Sequence, residues 1–169
     1  MDHNAYSFGD ALSVNIDVGR RWTDALETRL LVNVWDTEVQ EAGFDEGPGA
    51  TFVEGSHLLR RPKHTLAATA FYRISSRVGV DVSARRVGAR EDRDFAVFPA
   101  EPVTLPAYTV LDLSASFDIA GGGGRPGITL MVRAENLLDS AYEEVWGFAA
   151  PGRGLYLGGR VVLGGSGGP

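Results

Sequence analysis

The chain has 169 residues, a formal net charge of −6 and no cysteine. The missing thiols exclude a disulfide framework and a thiolate metal site, and the acidic balance argues against a nucleic-acid partner, since phosphate binding needs a basic surface. Mean hydropathy is −0.06 and no run of about 18 apolar residues occurs, which excludes a transmembrane helix.

Met1 to Asp10 is polar and lacks the apolar stretch of a signal peptide, so for an exported protein a preceding segment is expected. From Ser13 the chain alternates with the period of two that puts successive β side chains on opposite faces. Val14, Ile16 and Val18 oppose Asn15, Asp17 and Gly19. After a short turn, Leu30, Val32 and Val34 oppose Arg29, Asn33 and Thr37. Residues 38–57 form a long Gly-rich connection with five carboxylates and no Lys or Arg. Leu66, Ala68, Ala70 and Tyr72 then share an apolar face. Beyond the tight turn 74–77, Val78, Val80, Val82 and Ala84 oppose Gly79, Asp81, Ser83 and Arg85. A second long connection covers 89–106.

The clearest alternation follows. Thr109, Leu111, Leu113, Ala115, Phe117 and Ile119 fall on one face, with Val110, Asp112, Ser114, Ser116 and Asp118 on the other. After a Gly-rich turn at 120–127, Ile128, Leu130, Val132 and Ala134 oppose Thr129, Met131, Arg133 and Glu135. A third long connection, 137–153, leads to the strand Leu155 to Leu163. Seven strands are thus predicted, near 12–22, 27–38, 62–73, 77–88, 107–119, 127–137 and 154–163. Leu111, Leu113, Phe117, Leu130, Val132, Leu157 and Val161 are expected to face lipid, and Asp112, Ser114, Asp118, Arg133 and Glu135 the lumen.

Strands of about 9–11 residues suffice to cross a bilayer when tilted, and outer-membrane barrels alternate short inner turns with longer outer loops. One assignment of sides satisfies every connection here. The turns at 23–26, 74–77 and 120–127 lie inside, and the connections at 38–57, 89–106 and 137–153 outside. The expected fold class is all-β: an antiparallel meander of about seven strands, part of a transmembrane β-barrel. A barrel in lipid must close, because unpaired backbone groups at an edge are costly there. Seven strands therefore read as part of something larger. A soluble β-sandwich binding module and a non-functional gene fragment are the alternatives.

Several motifs resemble a known family. Ala134-Glu135-Asn136-Leu137-Leu138-Asp139, with Tyr142 three residues on, resembles the ENLFD..Y signature near the C-terminus of TonB-dependent outer-membrane receptors. Pro151-Gly152-Arg153 resembles the family's PGR, and Leu59-Arg60-Arg61-Pro62-Lys63-His64 its LxRRPxH. Asp92-Arg93-Asp94-Phe95, followed by Val103 to Asp112, is most similar to the cobalamin-receptor branch. The resemblance implies a barrel of about 22 strands around an N-terminal plug, in the outer membrane of a Gram-negative bacterium. It implies uptake of cobalamin or a ferric siderophore with energy passed on by TonB. The implied partners are outer-membrane lipid, the plug and remaining barrel strands, TonB through that missing part, and the ligand. Residues 1–169 are read as the C-terminal portion of such a barrel, with the plug domain and TonB box absent. The family's terminal aromatic is replaced by Leu163 and a Gly-rich tail at 164–169.

Within this frame Arg61, Pro62, Glu135, Asn136, Leu137, Asp139, Tyr142, Gly152 and Arg153 are structural motif residues. Asn136 and Asp139 suit a strand's exit into a loop, because they bond nearby backbone and tolerate turn conformations. Arg153 is read either as a partner of Glu135 or another inward carboxylate, or as a solvated rim charge. The candidates for ligand contact in the outer connections are Asp92, Asp94, Phe95, Phe98, Trp146 and Phe148. Trp22, Trp35, Tyr72, Tyr108 and Trp146 lie near strand ends, where aromatic residues favour the bilayer interface. Arg60, Arg61 and Lys63 form a basic cluster, read as solvated or as a site for lipopolysaccharide phosphates. The long connections hold 12 of the 22 carboxylates, an oxygen supply that could suit calcium, but without EF-hand spacing no metal site is assigned. No cofactor is expected and no catalysis. Gly164-Gly165-Ser166-Gly167-Gly168 matches G-x-S-x-G in form only, with no following helix and no downstream Asp or His. His3, His57 and His64 lack metal-ligand spacing.

Overall fold

The computed structural model describes residues 8–44, 47–122 and 125–163. The tail 164–169, His3 and most of the polar start, Asp45 and Glu46 of the first long connection, and the centre of the turn at 120–127 lie outside the described residues. The strands are β1 (Phe8–Arg21), β2 (Leu26–Glu41), β3 (His64–Ser75), β4 (Val78–Val87), β5 (Arg90–Asp94), β6 (Glu101–Leu105), β7 (Tyr108–Gly122), β8 (Arg125–Glu135), β9 (Glu143–Val145), β10 (Phe148–Ala149) and β11 (Gly154–Val162). No helix occurs among the described residues.

Seven of these strands form one sheet in the order β1-β2-β3-β4-β7-β8-β11, and every neighbouring pair is antiparallel. They are the seven predicted strands, paired as a meander. Three boundaries lie more than two residues from those expected, and one of them is the end of β7, which runs on to Gly122 and pairs there with Arg125 inside the expected turn at 120–127. β1 and β2 run past the expected ends, because Phe8 to Leu12 pair with Asp36 to Glu41. The connections at 89–106 and 137–153, read as plain loops, carry the hairpins β5–β6 and β9–β10. β5 reads Arg-Glu-Asp-Arg-Asp. That composition has no apolar alternation and low strand propensity, so tertiary context makes the strand.

Register aligns the apolar faces across the whole sheet. Val18 pairs with Leu30, Leu30 with Ala68, Ala68 with Ala84 and Ala84 with Leu111. Leu113 pairs with Ala134, and Ala134 with Leu155. Directly paired residues point to the same side, so the seven stripes fuse into one apolar surface. Nothing among the described residues covers it. Val14 is 55%, Ile16 51% and Leu157 80% exposed. A sandwich would bury this face under a second sheet, but the other two sheets are two-stranded hairpins in the long connections. The opposite face is polar and bonded across strands. Arg29 Nε donates to Asp17 at 2.8 Å, Asn33 Nδ2 to Thr65 Oγ1 at 3.2 Å, and Thr129 Oγ1 to Asp118 at 2.6 Å.

The buried residues gather elsewhere. Val87, Tyr108 and Val110 pack together with Tyr142, on the polar side of the sheet at its long-connection end. The sheet is open, with β1 and β11 at its two edges.

Candidate functional site

The three long connections are tied to one another at that end. In the first, the chain at 55–58 runs beside the end of β2. Val39 N donates to Ser56 O and Gly55 N to Val39 O, both at 2.9 Å. The Nδ1 of His57 donates to the Thr37 carbonyl at 2.7 Å, and Lys63 O accepts from Trp35 N at 2.8 Å. Arg61 and Pro62 stand on this seam. At Gly49, with φ of +85°, an added Cβ would lie 2.6 Å from Ala100 N. Only glycine lets the first connection press so closely on the β5–β6 hairpin.

Asp92 is where the connections meet. It is 1% exposed. Its Oδ1 accepts from Arg60 Nε at 2.9 Å and from Arg93 N at 2.8 Å, and its Oδ2 from Trp146 N at 2.8 Å. Arg60 N also donates to Glu91 O at 2.8 Å. One carboxylate thus joins all three connections. Burial would push its pKa up, but the Trp146 amide, the Arg93 amide and the Arg60 guanidinium together outweigh burial and hold it below the ordinary value.

Beside it, Tyr108 and Tyr142 stack with ring centroids 4.0 Å apart. The Tyr108 hydroxyl donates to Glu144 at 3.1 Å, and the Arg90 guanidinium lies 5.5 Å from the Tyr108 ring. Arg90 Nη2 donates to Glu143 O at 2.7 Å. Tyr108 is only 6% exposed, which corrects its reading as a bilayer-interface aromatic. The signal was present in the strand's parity: Tyr108 shares its face with Val110 and Asp112. The same parity puts Trp35 with Asn33 on the polar face, so it too leaves the interface set. Tyr72 keeps the apolar side, paired with Leu26 and Val80.

The Asn136 motif forms a second knot. Asn136 has φ of +49°, Asp139 of +51°, in the left-handed region that Asn and Asp tolerate. Asn136 Nδ2 donates to Ser140 O at 3.0 Å and Pro151 O at 3.3 Å, its Oδ1 accepts from Ser140 N at 2.9 Å, and its own amide donates to Asp112 at 2.9 Å. Asp139 accepts from Arg153 N at 2.9 Å. A Cβ at Gly152 would lie 3.1 Å from that same carboxylate oxygen. Leu137 N donates to Leu111 O at 2.8 Å. The start and end of the third connection are therefore pinned together. Glu135 pairs with Arg133 at 3.0 Å, so the Arg153–Glu135 pairing does not form.

Of the residues expected to meet a ligand, Asp92 has its oxygens occupied inside the loop assembly. Asp94 accepts from Ala96 N at 2.8 Å in the turn between β5 and β6. Phe95 and Phe98 are exposed in that turn, Phe98 at 98%. Trp146 and Phe148 are exposed on the β9–β10 hairpin. The two aromatic pairs sit on separate hairpins, joined through Asp92. Among the described residues no group of three or more His, Asp or Glu is placed to hold a metal ion. Sequence reasoning missed Arg90, which lies in no motif and takes its role from tertiary packing.

No family model matches the chain. It is 33% identical over 107 residues to the vitamin B12 transporter BtuB of Vibrio cholerae serotype O1, a match covering 62% of this chain and 16% of that protein. Its backbone superposes on the siderophore receptor PiuA of Acinetobacter baumannii with a TM-score of 0.71 at 16% identity, covering 92% of this chain and 22% of that one. For the ferric-catecholate import receptor Fiu of E. coli K12 the TM-score is 0.69 at 19% identity, over 91% and 21%. The chain thus spans about a sixth of the length of the curated relatives it matches, at 16%. Its fold is that of the wall of these receptor barrels. It resembles TonB-dependent outer-membrane receptors, and its sequence likeness is to the cobalamin branch.

Proposed function

We propose that the chain forms part of the wall and the outer connections of a Gram-negative outer-membrane receptor that takes up cobalamin or a ferric siderophore with energy from TonB. The single observation that carries this reading is the uncovered apolar face, aligned in register across all seven strands. Such a face is stable against lipid and unstable against water. The polar face then lines the lumen, and the tied connections form the outer mouth. The open edges at β1 and β11 require further strands, which a complete receptor would contribute together with its plug. Contact with TonB would run through those parts. The exposed Phe95, Phe98, Trp146 and Phe148 stand where an incoming ligand first meets the mouth, with Asp94 beside them.

The test is uptake of labelled cobalamin, and separately of a ferric catecholate, in cells lacking their own receptors. Residues 8–163 grafted in place of the corresponding wall of a complete receptor are expected to restore uptake of one of the two. A graft that reaches the outer membrane and imports neither would overturn the reading.

A further inference from the structure

We infer that a cleft between the end of β2 and the chain at 57–64 receives an anionic group carried on a flat or apolar body. The cleft measures about 350 Å³, and its walls include Trp35, His57, Arg61, Lys63, Arg90 and Glu91. That volume is in the range of small-molecule sites. Trp35 and Thr37 continue the polar face of β2 from Asn33, so the cleft lies on the lumen side at the long-connection end.

Charge decides the chemistry. The chain as a whole carries −6, yet Arg61, Lys63 and Arg90 line this cleft against the single carboxylate of Glu91. Among the described residues neither Arg61 nor Lys63 takes part in a salt bridge. Asp92, next in sequence to Glu91, is paired with Arg60, so that pair brings no net charge toward them. Arg90 is buried, and its Nη1 has no acceptor among the described residues. A concave site with low-dielectric walls focuses the field of such charges. An anion repelled by the rest of the molecule is therefore favoured here. Trp35 adds a flat apolar wall for the body that bears the charge, and guanidinium and ammonium groups suit phosphate or carboxylate oxygens equally in kind.

The inference deepens the receptor reading and rests on it for the ligand's route into the cleft. Its test needs no transport. The receptor carrying the grafted segment is labelled with ¹⁵N-tryptophan in maltoside micelles, Trp35→Phe identifies the Trp35 indole resonance, and that resonance is followed with phenyl phosphate, benzoate and uncharged benzyl alcohol. At least one of the two anions is expected to move Trp35 saturably at millimolar concentration, while Trp22 and Trp146 stay in place. Saturation by phenyl phosphate alone assigns a phosphate, and by benzoate alone a carboxylate. Benzyl alcohol should bind at least tenfold more weakly. Arg61→Gln combined with Lys63→Gln should weaken anion binding at least tenfold, and Arg160→Gln on β11 should leave it unchanged. The double variant keeps the Trp35–Lys63 seam, which is a backbone hydrogen bond, and an unshifted Trp35 resonance without probe checks this. No response to either anion, equal binding of benzyl alcohol, or wild-type affinity in the double variant would overturn the inference. Uptake by the graft without anion binding here counts against the cleft alone. Anion binding here without uptake counts against the receptor reading alone.

Discussion

Asp92 shows how one side chain can organise a surface. Its three donors come from all three long connections. Asp92→Asn removes the charge that Arg60 needs and one acceptor oxygen, and should cost about 2 kcal/mol of local stability, read as faster amide exchange at Trp146. The pH dependence follows from the lowered pKa. A group depressed on folding contributes stability that is fully present above its unfolded value and is lost as pH falls through the folded value. Protection at Trp146 should therefore hold from neutral pH to about 4 and fall only below it. Asn136 is 3% exposed with φ of +49°. Asn136→Ala should cost about 1–3 kcal/mol by leaving buried backbone groups unpaired, with exchange rising across 137–153. The motif was legible in sequence because Asn and Asp are the residue types that fit left-handed turns. The partners of Asp92 were not legible, because they come from sequence-distant connections with no local pattern.

Strands β7 and β8 carry the sidedness most clearly. Leu113 pairs with Val82 and Ala134 on the apolar face, and Ser114 with Asp81 and Arg133 on the polar one. Leu113→Arg should cost on the order of 2–4 kcal/mol if it lies near the bilayer midplane, and Ser114→Arg should be mild. Equilibrium unfolding of a receptor bearing each change measures both, and equal costs would contradict the sidedness. These strands were readable because a face buried on one side imposes alternation. The hairpins β5–β6 and β9–β10 were not, since they touch the wall only at its long-connection end, through Tyr108 and Arg85. Their partners are the other connections and that one end of the wall, which impose no period on Arg90 to Asp94.

The seven-stranded sheet has its apolar surface on the outside and its packed residues under the outer connections. This inverts the plan of a soluble domain and suits a barrel wall in lipid. The motifs and the strand lengths made that plan legible. The chemistry of the lumen mouth was less so, because Trp35, Arg61 and Arg90 come together only through the fold. The absence of cysteine makes the decisive measurement direct. Single cysteines are placed in turn at positions 109 to 118 of the segment grafted into a cysteine-free complete receptor, spin-labelled, and reconstituted in lipid vesicles. Collision with oxygen, which concentrates in lipid, is compared with collision with a water-soluble nickel chelate. Oxygen should dominate at 109, 111, 113, 115 and 117, and the nickel chelate at 110, 112, 114, 116 and 118. A profile with no period of two, or with the two sets exchanged, would contradict a barrel wall with its apolar face to lipid.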